Sequence, residues 1–234
     1  MKRIIFLVVC GVLLNACSTT TNNNMIVNGN IKGLKKGTLY LQHIPDSTLV
    51  TVDSVVIDGS GNFELGAKIE SPEVFYLYLD KKDNNELNDR ITFFGEEGTI
   101  SVTTTWDNFD YNAKIEGSAT HEKLEEYQEI MSKFNKKNLE IISASYTPSI
   151  RDNEDALDSI RAVSDKNILR GYLFAINFAM NNKDSYIAPY IGVTEVADAN
   201  VKLLDSIYNN LTPAIASSKY GKKLQTLIAS KKAN

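Results

Sequence analysis

The sequence predicts an α+β protein, with an N-terminal antiparallel β-sandwich of seven or eight short strands followed by a C-terminal α-helical bundle. Two observations carry this reading. From residue 25 to about 117, apolar residues alternate in short runs separated by Gly, Asp and Asn, which is the period of half-buried strands. After Gly117 the period changes to three and four, as amphipathic helices require.

The strands follow in order. Residues 37–44 place Leu39, Leu41 and His43 on one face and Thr38, Tyr40 and Gln42 on the other. Residues 49–57 are β-branched and run into a Gly-rich turn at 58–62, from which 63–69 return, so the pair reads as a hairpin. Residues 74–80 follow Pro72 and are apolar nearly throughout, the pattern of a strand buried on both faces. Residues 91–94 and 99–106 flank Gly95 and Gly98 and read as a second hairpin, with 111–117 as a last short strand.

Ser118 is the expected cap of a first helix carrying Leu124, Tyr127, Met131 and Phe134. A loop near 146–149 separates it from a second helix over about 153–181, with Leu157, Ile160, Ile168, Tyr172 and Ile176 approximating one face. Residues 185–193 read as a short helical piece broken or begun around Pro189. Asp198 is the expected cap of a helix with Val201, Leu204, Tyr208 and Leu211, disturbed at its end by Pro213. Residues 220–231 form a last amphipathic helix with Leu224, Leu227 and Ile228.

Ahead of the strands, Lys2 and Arg3 precede an apolar run of 11 residues, 4–14. That length suits a signal peptide and falls short of the roughly 20 residues a spanning helix needs. Leu14, Asn15, Ala16 and Cys17 then resemble the bacterial lipobox. The resemblance implies that Cys17 receives a diacylglycerol, that the leader is cut before it, and that the new amino group is acylated. Two or more acyl chains, at about 0.8 kcal/mol per CH₂, hold a soluble domain stably on a bilayer. Residues 18–24 form a polar tether. It has no acidic run after Cys17, and Ser18 rather than Asp follows the cysteine, so attachment to the outer membrane facing the periplasm is expected.

Composition narrows the function. Formal net charge is −4, falling to −6 without Lys2 and Arg3, which argues against a nucleic-acid partner and against electrostatic docking on anionic lipid. The two cysteines are Cys10 in the leader and Cys17 at the lipidation position, so the mature chain is expected to hold no thiol for redox chemistry. Lysine pairs near 35, 81, 136, 222 and 231 read as solvated faces.

Catalytic signatures are weak. His43 and His121 have no carboxylate or cysteine at metal-ligand spacing and read as structural or surface histidines. Gly59, Ser60 and Gly61 sit in a turn between strands, unlike a nucleophile elbow. Asp58, Ser60, Asn62 and Glu64 alternate as calcium ligands can, yet turn chemistry explains them without a metal. Asp46, Asp53, Asp107 and Asp110 form an acid–base pair only where folding brings two together. Trp106, Phe109 and Tyr111 cluster before the last strand and are the candidate ligand-stacking group, with core or rim packing as the plainer alternative. Ser47, Ser54, Ser159 and Ser206 each follow an Asp and precede Thr, Val or Ile, resembling the O-glycosylation triplet of Bacteroidetes-type bacteria. No catalytic residue, metal or cofactor is expected.

A wider resemblance rests on the order of "IVNGNIKGLKKGTLYLQHIPDS", "TVDSVVIDGSGNFELGAKIESPEVFYLYL", "FFGEEGTISVT" and "KIEGSATHEKLEEY". Over about 26–118 this resembles the N-terminal domain of unknown function of Bacteroidetes-type lipoproteins that precedes a thioredoxin-like domain in thiol–disulfide interchange proteins. "SYIAPYI" and "SKYGKKL" resemble the helical linker of the same proteins. The resemblance implies an envelope lipoprotein connected with redox partners, while the thioredoxin-like domain itself has no counterpart in these 234 residues. The expected organisation is a signal peptide (1–16), lipidated Cys17 and tether (17–24), sandwich (25–117) and helical region (118–234). The expected function is that of a non-catalytic, lipid-anchored envelope domain that binds a protein partner, a periplasmic redox protein being the one the resemblance implies. The alternative is a glycan- or peptide-binding accessory lipoprotein using the aromatic cluster near Trp106.

Overall fold

Alternation becomes eight strands in the computed structural model, which describes residues 22–81 and 89–233. They are β1 (Met25–Lys32), β2 (Lys36–His43), β3 (Val50–Asp58), β4 (Asn62–Ala67), β5 (Glu73–Asp80), β6 (Asp89–Gly95), β7 (Gly98–Thr105) and β8 (Lys114–Glu116). Sheet A is ordered β4-β1-β7-β8 and sheet B is ordered β3-β2-β5-β6. Every pairing is antiparallel except that of β1 with β7. Val27, Leu65 and Ile100 from sheet A meet Leu41, Phe75 and Phe93 from sheet B in the apolar layer between them.

Neither expected hairpin forms, because β3 and β4 lie in different sheets, as do β6 and β7. Instead, the β1–β2 and β3–β4 links cross from one sheet to the other side by side. Ile31 N–H donates to Gly61 O at 2.8 Å, and Gly59 N–H donates to Lys35 O at 2.8 Å. A Cβ on Gly61 would stand 2.0 Å from the Ile31 carbonyl oxygen, so only glycine fits this corner. At the second link, Gly98 takes φ 116° and donates its N–H to Asn24 O at 2.9 Å, which lays β7 along β1. Asp53 ties the edge strand β3 to β4, its Oδ2 accepting from Gly66 N–H at 2.8 Å.

The helices are α1 (Ala119–Ser145), α2 (Pro148–Arg151), α3 (Glu154–Asn181), α4 (Ile187–Thr194), α5 (Val201–Asn210), α6 (Pro213–Ala216) and α7 (Lys219–Ala233). Ser118 caps α1, its Oγ accepting from His121 N–H at 3.0 Å. Glu96, in the β6–β7 link, accepts from Ala119 N–H and from the Thr120 hydroxyl, so a carboxylate also faces this helix N-terminus. The loop expected near 146–149 contains the single turn of α2. Asp198 is not the cap of α5: Asn200 Oδ1 accepts from Lys202 N–H at 2.9 Å, and Asp198 accepts from Tyr172 Oη at 3.3 Å.

The expected face of α3 forms in part: Leu157, Ile160 and Tyr172 are half-buried and Ile176 is buried. Its buried residues are Gly171, Ala175, Ile176, Phe178 and Ala179, while Ile168 is 54% exposed. Gly171 lets α1 approach to van der Waals contact, with Phe134 3.4 Å from where a Cβ would stand.

The helices cover one end of the outer face of sheet B. Val74 and Phe94, which point away from the sandwich core, pack with Leu124, Tyr190 and Tyr220. Phe94 meets Tyr190 and Tyr220 edge-on, with centroids 5.1 and 6.0 Å apart. Apart from Ile141, the buried residues of α1 lie in its first three turns, and those of α3 lie in its last three. The remainder of both helices projects as a two-helix arm.

Gly61→Ala is expected to lower the free energy of unfolding by more than about 2 kcal/mol, read by urea denaturation. A change near zero would show that the corner does not need the close approach of Gly61 to Ile31.

Candidate functional site

The candidate site begins where β2 leaves sheet B. Its last partner on β5 is Phe75, paired with His43, so Val74 lies one residue past the ladder. The Val74 N–H is taken by Tyr220 Oη at 3.2 Å. Burial pushes the Tyr220 hydroxyl above its ordinary value, keeping it neutral as an acceptor. Glu73, at the head of β5, is only 8% exposed. A carboxylate there requires a partner.

That partner is Lys219, the first residue of α7. Its ammonium contacts the Glu73 carboxylate and donates to Ile44 O at 2.7 Å, and its backbone N–H donates to Ser71 Oγ at 3.2 Å. His43 stacks flat on Phe75, with centroids 5.0 Å apart and planes within 3°. Its Nδ1 lies 3.3 Å from Glu73 Oε1 but makes no aligned hydrogen bond. Together these residues fasten β2, β5 and α7 in one ionic clasp.

Over the clasp opens a cleft of about 810 Å³ between sandwich and bundle. Its walls carry both signs of charge, with Lys68, Lys222 and Lys223 beside Asp46 and Glu70. A recess of about 280 Å³ shares Glu70, Ser71 and Tyr186 with it and reaches Asn24, where the chain enters β1. Clefts at the junction of two structural units are common ligand sites.

Residues 25–124 match the model of a domain of unknown function, DUF4369. The match covers the sandwich and the start of α1, so His43 and Glu73 lie inside it and Lys219 lies outside. No curated protein and no solved structure matches the chain.

The aromatic group around Trp106 does not form one surface. Phe109 is 1% exposed and belongs to the sandwich core, with its carbonyl accepting from Thr104 Oγ1 at 2.7 Å. As a ligand contact it is therefore excluded. Trp106 is 45% exposed and lies against Gly33, with the Lys81 ammonium 5.8 Å from its ring centroid, and Tyr111 projects outward. The four aspartates are also dispersed. Asp53 is bound to β4, whereas Asp107 and Asp110 accept from the next residues' N–H groups, Asn108 and Tyr111. A hydrogen bond from Thr105 holds the Asp107 carboxyl below its usual value. Only Asp46 reaches the cleft.

Asn62 accepts from Asn30 Nδ2 at 2.7 Å, as a strand-to-strand contact. Among the described residues no group of three His, Cys, Asp or Glu side chains could hold a metal ion. Ser47 and Ser54 are exposed on a loop and a strand. Ser159 and Ser206 donate back to helix carbonyls, Asp155 O and Lys202 O, both at 2.9 Å. Cys17 lies outside the described residues.

His121 is a core residue. Phe94 N–H donates to its Nδ1 at 3.4 Å, and its Nε2 lies 3.5 Å from Glu125 Oε1. Burial pulls the imidazole below its ordinary value of 6.5, outweighing the opposing charge of Glu125. The unfolded chain therefore holds more protons just below that value, and stability falls as pH drops through the window. The melting temperature is expected to fall between about pH 7.5 and about pH 5.5, less steeply in His121→Asn, whose amide oxygen can accept from Phe94. Equal slopes would remove His121 from the pH response.

Lys219→Met strands Glu73 in the seam and is expected to cost about 2 kcal/mol or more in urea unfolding, with most of it recovered in Lys219→Met/Glu73→Leu. A double variant no more stable than the single one would mean that the ion pair itself is indispensable.

Proposed function

We propose that this chain is a non-catalytic, lipid-anchored domain of the cell envelope that docks a protein partner on the α1–α3 arm. The observation that carries the reading is a concentration of exposed apolar side chains. Leu139, Ile142 and Tyr146 on or beside α1, with Val163, Ile168, Leu169 and Leu173 on α3, are 46–73% exposed. Leu139, Ile142 and Tyr146 recur at three and four residues and so share one face. Apolar residues gathered on one projecting element are what a docking surface needs, whereas single exposed ones need no explanation.

The anchor rests on sequence alone: acylation of Cys17, a leader over 1–16, and attachment to the outer membrane facing the periplasm. A thioredoxin-like redox protein is the partner that the sequence resemblance suggests. The alternative is a glycan- or peptide-binding accessory lipoprotein that uses the exposed Trp106 and Tyr111 without the buried Phe109.

Two experiments test the proposal. Cys17→Ser is expected to remove the acyl mass and move the protein from membrane to soluble fraction; an unchanged mass and location would refute the anchor. A photo-crosslinking residue at Leu139 or Leu169 is expected to capture a protein in the native envelope, and Ile142→Lys to weaken that capture. Crosslinking from Tyr111 but from neither arm position would move the interface to the Trp106 end.

A further inference from the structure

We infer that the seam cleft binds a short zwitterionic peptide, its ammonium held by Asp46 and Glu70 and its carboxylate by Lys68, Lys222 and Lys223. The inference is independent of the arm. The five side chains line one cleft of about 810 Å³. Among the described residues none of the five makes a side-chain hydrogen bond or an ion pair, while Lys219 and Glu73 beneath them are paired with each other.

That arrangement selects its ligand. A simple anion drawn to the lysines meets Asp46 and Glu70, and a simple cation meets the reverse, so either gains little net attraction. A molecule carrying both charges, separated by a few bonds, satisfies the lysines and the carboxylates at once. Polar groups in the middle of such a ligand meet Ser71 and Ser217, which also line the cleft. The volume falls within the range of about 300–1,000 Å³ usual for small-ligand sites and holds a peptide of a few residues. The walls offer little apolar surface, with Ile69, Pro45 and Ala214 as the aliphatic contributions. Recognition is therefore of charged ends and backbone, with side-chain identity secondary.

The test uses the full chain in an uncharged maltoside detergent, titrated by calorimetry and by amide NMR with trialanine, N-acetyl-trialanine and trialanine amide. Trialanine is expected to bind saturably, with shifts at the cleft residues, and each capped form to bind about tenfold or more weakly. Lys222→Ala/Lys223→Ala is expected to weaken trialanine while leaving the amide form unchanged, and Glu70→Gln to do the converse for the N-acetyl form. Ligand-free melting temperatures of these exposed-residue variants report that they remain folded. Absence of saturable binding overturns the inference, as does equal binding of capped and uncapped peptides. Stronger binding of inorganic phosphate would reassign the cleft to anions. Stronger binding of vesicles containing phosphoethanolamine lipid than of phosphocholine vesicles or trialanine would reassign it to a lipid headgroup.

Discussion

The structure depends on one burial event, the covering of Val74 and Phe94 on the outer face of sheet B. β5 and β6 are apolar on both faces at this end, with Phe75 and Phe93 turned into the sandwich and Val74 and Phe94 turned out. A sandwich alone would leave the second pair in water. Leu124, Tyr190 and Tyr220 cover them, and the aromatic rings interlock edge to face. Once α7 is seated there, Tyr220 reaches the orphaned Val74 N–H and Lys219 reaches Glu73. The polar clasp is thus positioned by apolar packing, and it fixes the orientation of the helices more than it adds stability.

This order explains why some of the fold was legible in sequence and some was not. Strand positions are local and were readable, as was one cap: alternation around Leu39 and Leu41 marks β2, and Ser118 marks the start of α1, whereas Asp198 stood in for the true α5 cap, Asn200. The strand β5, apolar on both faces, announced a covered sheet. Links between strands were misread because a Gly-rich turn looks the same whether its strands pair or part. What separates the cases is Gly61 against Ile31, a contact between segments about 30 residues apart. The parallel pairing of β1 and β7 is non-local for the same reason.

The candidate site was almost invisible for a related reason. His43, Glu73 and Lys219 come from β2, β5 and α7, with Glu73 and Lys219 146 positions apart, and no spacing rule joins them. One signal existed: Glu73 is an acid at the head of a strand whose next six residues are aliphatic or aromatic, and a buried acid there demands a cation. Trp106, Phe109 and Tyr111 gave the opposite lesson. Adjacency in sequence grouped them, yet Phe109 faces the core and its neighbours face out. The functional picture that follows has two separate parts, a projecting apolar arm and a charged cleft fixed by the seam.

The central claim is that sandwich and helices form one cooperative body joined at the seam. Trp106, the one tryptophan, lies in the sandwich half, and every described helix follows residue 118. Urea unfolding followed by Trp106 fluorescence and by helical ellipticity therefore reports the two halves separately. The account predicts coincident transitions, with Lys219→Met moving both midpoints down together. Two separated transitions, with Lys219→Met shifting only the helical one, would contradict it.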